Sequence, residues 1–203
     1  MFPKKFLVLV FLVFLFLFSP KNLTFNNSYA TSDPGAYVME ITKNAIDTLT
    51  NESVDIEKKK SQFGELFDKN FDVPSISRFV LGKYWKQASL AQKIEFIKAF
   101  RNYVVKTYSS RFSDYAGEQL KLVDFENEKN PKIFLVHTIL ERQDAPLIKV
   151  DWRIGKKKDK FVILDIIIEG ISLAVTQRSE FVSVIDQNGG SVDKLISLLK
   201  EKS

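Results

Sequence analysis

Few side chains in this sequence have the type and spacing that bond-making chemistry needs. Gly170-Ile171-Ser172-Leu173-Ala174 resembles a degenerate G-x-S-x-G nucleophile elbow, at a point where a strand turns into a helix. With His137 as base and Asp165 as its orienting carboxylate, a serine esterase triad can be written. Three features oppose it: the last glycine is Ala174, both partners precede the serine, and the surrounding strands read as antiparallel. Ser172 is more simply the N-cap of the helix that follows. Asp165 and Glu169 as an acid/base pair fare no better, because i and i+4 on one strand lie about 13 Å apart. His137 is the only histidine and cysteine is absent. Multi-histidine and cysteine-ligated metal sites, iron–sulfur clusters, disulfides and a thiol nucleophile are therefore excluded. No glycine-rich phosphate loop occurs. The reading is of a protein that is not an enzyme and has no cofactor.

The elements that would position these residues read as helices, strands, then helices. Asp33-Pro34 supplies an N-cap and a proline at the first helical position, and Tyr37, Val38, Ile41, Ala45, Ile46 and Leu49 follow at helical spacing. A second helix runs through Phe63, Leu66 and Phe67 until Phe71-Asp72-Val73-Pro74 breaks it. Short helical pieces around Gly82 come next. Ser89 with Gln92 forms a capping box that opens a long helix to about residue 112. The period then switches to two. Leu120 to Phe125 is a first strand, Ile133 to Leu140 a second, and Asp144-Ala145-Pro146 a turn. Ile148, Val150, Trp152 and Ile154 alternate with polar residues as a half-buried third strand. Phe161 to Ile168 is apolar except at Asp165, so both its faces should be covered. Connections this short force hairpins. The expected fold is α+β: a curved antiparallel sheet of about four strands clasped by N- and C-terminal helices.

Composition narrows the partners. Of 203 residues 45% are hydrophobic and 27% charged, with 14 Gly plus Pro, as in one globular domain. The nominal charge of +5 would suit nucleic acid. It is concentrated in a leader: Lys4-Lys5 precedes an unbroken apolar run from Phe6 to Phe18, and Ser28-Tyr29-Ala30 places small residues at a cleavage site. Thirteen helical residues rise roughly 20 Å, short of the ~30 Å hydrocarbon core, so the run is read as a signal peptide cleaved near Ala30. Without its three lysines, 27 basic and 25 acidic residues remain, a net charge of +2. No nucleic-acid partner is expected of residues 31–203. Lys156-Lys157-Lys158 with Lys160 reads as a solvated hairpin tip.

Apolar surface is in surplus. The stripe on the long helix, Tyr84-Trp85, Trp152 and the two-faced strand exceed what one sheet face requires. A well-filled core and a lipid-sized cavity both account for this, and periodicity does not separate them.

Val80-Leu81-Gly82-Lys83-Tyr84-Trp85, then Ala91-Gln92 and Phe96-x3-Phe100-x2-Tyr103-x4-Tyr108, resemble the N-terminal signature of the MlaC family, also called the toluene-tolerance or ABC-transporter auxiliary family. Val150-Asp151-Trp152, Asp165-x3-Glu169-Gly170-Ile171-Ser172-Leu173, Gln177-Arg178-x-Glu180-Phe181 and Gly190-x2-Asp193-x-Leu195-Ile196 extend the likeness over nearly all of residues 31–203. The resemblance implies a periplasmic phospholipid carrier with the acyl chains in a deep cavity and the headgroup in water. Its implied partners are an outer-membrane lipoprotein–porin complex and an inner-membrane ABC transporter with an MCE-domain ring. A sister branch is associated with hopanoid lipids. The acyl-chain pocket is then expected to draw its walls from Leu81, Tyr84, Phe96, Phe100, Tyr103 and Val104 on helices, and from Leu135, Ile139, Val150, Trp152, Ile166 and Ile168 on strands.

Overall fold

A computed structural model describes residues 33–51, 53–110, 118–142 and 145–203. The leader, Asp144 and the last residues of the expected long helix lie outside these. Helices start where local chemistry dictates. Asp33 accepts hydrogen bonds from the amides of Gly35 and Ala36 ahead of α1 (Pro34–Thr50). Asp55 caps α2 (Ile56–Asn70), and Asp72 caps α3 (Val73–Val80), which begins just before Pro74. Gly82, at φ +58°, turns the chain between α3 and the single turn α4 (Tyr84–Gln87), a conformation that costs a side-chain-bearing residue strain. The Ser89–Gln92 capping box opens α5 (Leu90–Ser109).

Four strands then form a meander: β1 (Gln119–Asn127), β2 (Ile133–Glu141), β3 (Ile148–Lys157) and β4 (Lys160–Ile168). A two-residue β5 (Ile171–Ser172) is added to β4, so the antiparallel sheet has five strands in sequential order. Lys158 and Asp159 form the tight β3–β4 turn, which places the basic run at a hairpin tip. Glu169 (φ 49°) and Gly170 (φ 79°) make the β4–β5 turn. Two irregularities bend the sheet, one between Leu122 and Asp124, the other where Arg153 pairs with Asp165 but Ile154 with Ile163. Helices α6 (Leu173–Gln187) and α7 (Val192–Glu201) complete the chain.

Side chains segregate into two apolar clusters. One is helical, built from α2 to α7 around Phe96, Phe100 and Phe181. The other lies between one face of the sheet and α1, where Val38 and Ile46 meet Val136, Leu140, Val150, Trp152, Ile154 and Ile168. Phe71 and Tyr108 pack against both. The α2–α3 junction is pinned to the sheet, because the Asp72 amide donates to the Ile163 carbonyl at 3.0 Å.

Candidate functional site

Where the two clusters meet, the side chains leave a cavity of about 90 Å³. Phe67 of α2, Phe71 after it, and Ile76 and Val80 of α3 contribute to its lining. Phe100, Tyr103, Val104, Thr107 and Tyr108 form the α5 wall, and Leu164, Asp165 and Ile166 the β4 wall. Leu173, Ala174 and Gln177 of α6 finish it. Its lining is chiefly apolar. Burial raises the pKa of the Tyr103 hydroxyl, with Glu180 adding to the effect and a Thr107 hydrogen bond opposing it, so the phenol stays neutral across the physiological range.

The one carboxylate among the described wall residues is fully engaged. Asp165 accepts from Ser172 Oγ at 2.5 Å, Arg153 Nη1 at 3.1 Å, and the amides of Ile166 and Ala174 at 2.9 and 3.0 Å. It sits at the N-terminus of α6, where free amides and the helix dipole favour negative charge. Ser172 Oγ in turn accepts from the Val175 amide at 3.0 Å and caps α6. His137 pairs with another carboxylate, its Nδ1 2.7 Å from Asp151 Oδ1. The serine, the histidine and Asp165 therefore form no relay. The Asp165-to-Ser172 stretch is a turn and a cap that fix α6 over the sheet; Glu169 assists by accepting from the Lys149 amide at 2.5 Å.

Of the twelve expected wall residues, Phe100, Tyr103, Val104 and Ile166 line this cavity. Leu81, Tyr84 and Phe96 are buried inside the helical cluster, with the Tyr84 hydroxyl hydrogen-bonded to Asp186. Val150, Trp152 and Ile168 are buried in the sheet–α1 cluster. There Trp152 Nε1 donates to Thr138 Oγ1 at 3.1 Å, and Thr138 Oγ1 donates to the Val150 carbonyl at 2.6 Å. Leu135 and Ile139 pair with Arg153 and Lys149 and so share the opposite sheet face with His137. Phe71, Ile76, Tyr108, Leu164 and Ala174 are wall residues that sequence reasoning did not assign. For Ile76 and Val80 the i, i+4 spacing was an available signal.

Fold and site together define an α+β domain whose curved antiparallel sheet and helices enclose an apolar seam, with no metal-holding cluster among the described residues. None of the described helices is long and apolar enough to cross a membrane. The chain belongs to the MlaC family: the family described as "MlaC protein" matches residues 39–201. Among curated relatives, the intermembrane phospholipid transport system binding protein MlaC of Haemophilus influenzae is 25% identical over 128 residues. That stretch spans 61% of this chain and 58% of the relative. Among solved structures, a phospholipid-binding protein from Ralstonia solanacearum, in complex with a phospholipid, superposes with a TM-score of 0.73 at 19% identity. The match covers 84% of this chain and 97% of that one, and establishes the shared fold.

Proposed function

We propose that this chain is a periplasmic phospholipid carrier that holds acyl chains in the seam between its two apolar clusters. The observation that carries the reading is the position of the cavity, lined by residues of both the helical and the sheet cluster. Membership of the MlaC family, and a phospholipid in a relative of the same fold, support it. Each buried CH₂ is worth about 0.8 kcal/mol, so a sixteen-carbon chain represents on the order of 10 kcal/mol of transfer from water. A carrier must offer comparable dry surface or the lipid stays in its bilayer.

A cavity of 90 Å³ is smaller than the ~300–1,000 Å³ of ordinary ligand sites. Loading therefore proceeds by parting of the helical layer from β4, with the sheet as the fixed wall. Residues 1–30 act as the export leader, and residues 31–203 form the carrier domain. The carrier exchanges lipid with an inner-membrane MCE-domain ABC complex and an outer-membrane lipoprotein–porin complex. Mass spectrometry of lipid extracted from protein purified without detergent tests the reading. A stoichiometric phospholipid is expected; protein that is folded and free of lipid would refute it.

A further inference from the structure

We propose that the groove between α3 and α6 is the mouth of the cavity, where Phe79 gates the chains and Arg178 takes the phosphodiester of the lipid headgroup. This rests on the carrier reading above. Continuity comes first. A hollow under α3, lined by Ser75, Phe79 and Arg153, shares Ile76, Leu164, Asp165 and Ala174 with the cavity. Phe79 also lines the outer groove together with Lys83, Val175, Arg178 and Ser179. Phe79 thus borders both the hollow that adjoins the cavity and the groove at the surface.

Apolar exposure at the rim comes second. Phe79 is 40% exposed and Val175 51%, so chains leaving the cavity would meet apolar surface before water.

Charge comes third. The cations of this region differ in what they hold. Lys83 pairs with Asp186 at 3.0 Å, and Arg153 with Glu128 and Asp165 at 2.7 and 3.1 Å. Arg178 has no carboxylate within ion-pair distance among the described residues; its guanidinium lies 5.1 Å over the Phe79 ring. Gly82 makes room for it, since a Cβ there would come within 3.1 Å of Arg178 Nε and of Val182 Cγ2. An exposed cation–π contact is weak, whereas a guanidinium fork on phosphate oxygens makes paired charge-assisted hydrogen bonds. An arriving headgroup therefore draws Arg178 off the ring and frees Phe79 to swing aside. Gate and headgroup site are one device.

The test compares delipidated parent, Arg178→Glu, Arg178→Gln and Arg178→Lys, each incubated with vesicles of phosphatidylethanolamine and phosphatidylglycerol. Lipid retained after vesicle removal is counted by mass spectrometry, and thermal melts check folding. Arg178→Glu should carry about tenfold less lipid, the scale of one charge-assisted contact, with Arg178→Lys nearest the parent. A parent that takes up no lipid would overturn the carrier reading and this inference together. A loaded parent with an equally loaded Arg178→Glu would overturn only the mouth. A second measurement does not depend on charge reversal. The chain has no cysteine of its own, so Ser179→Cys takes one fluorophore at the rim. Quenching by a headgroup nitroxide lipid should exceed quenching by a chain-end nitroxide lipid; the reverse order would overturn the proposal.

Discussion

The two apolar clusters are built from different materials. The helical cluster turns on rings: Phe96 stacks on Phe100 at 6.0 Å, and Phe181 meets both edge-on at 5.8 and 5.9 Å. The sheet cluster holds Trp152 and Phe161 but is mainly branched and aliphatic, with Val136, Leu140, Val150, Ile154, Ile163 and Ile168 all at 0% exposure and held by ladder hydrogen bonds. Phe71 and Tyr108 pack against both clusters, and polar ties join them as well. The polar ties include Asp72 to Ile163 and Lys157, and Asp165 to the start of α6. Space for a ligand arises where two well-packed cores abut, because neither core need be disrupted to enlarge it. On the proposed carrier reading, a sheet of fixed register and a helical layer of packed rings part as units.

The harshest way to break this comparison is Val150→Glu. Val150 is fully buried and outside the cavity lining, so the carboxylate would meet aliphatic side chains instead of water. The expected loss exceeds about 4 kcal/mol, read by urea unfolding. A variant that folds normally would mean that the sheet cluster is open to solvent. Phe181→Ala comes next, with a loss of about 3 kcal/mol from the cavity left among the rings. Lipid retention should survive it, because Phe181 does not line the seam.

Much of this arrangement was legible in the sequence, and the exceptions have physical reasons. Alternation along β3 placed Val150, Trp152 and Ile154 together, because Lys149, Asp151 and Arg153 mark the other face. On β2 both faces are apolar, so Leu135 and Ile139 could not be told from Val136 and Leu140 by period alone. On β4 the irregularity around Leu164 brings Leu164, Asp165 and Ile166 all to the cavity wall, which a strict period of two does not permit. Capping residues read directly, since a cap is a local device. The α3 wall did not, because its approach to β4 depends on the long-range pinning of Asp72.

That pinning gives the smallest of these stability effects and a pH dependence. Burial pushes the Asp72 carboxyl up, but hydrogen bonds from Lys157 and Ser75 outweigh it and hold the group below its ordinary value. A depressed folded pKa contributes stability that is complete above the unfolded value, about 3.9, and lost as pH falls through the folded one. Urea unfolding from pH 6 downward should show the parent weakening below about pH 4. Asp72→Asn should start about 1–3 kcal/mol lower at pH 6 and change less over that window. Parallel curves for the two proteins would remove this ion pair as a tie across the seam.

The central claim is that acyl chains lie in the seam, and Ala174→Phe tests it most directly. Ala174 is 8% exposed on the α6 wall, and the hydrogen bond its backbone N–H donates to Asp165 survives the change. The added ring fills the cavity at a cost of about 1–3 kcal/mol, which leaves the domain folded. Lipid extracted from parent and variant, purified side by side without detergent, is counted by mass spectrometry. The account predicts a loaded parent and a folded variant with little or no phospholipid. A folded variant carrying as much phospholipid as the parent would contradict it.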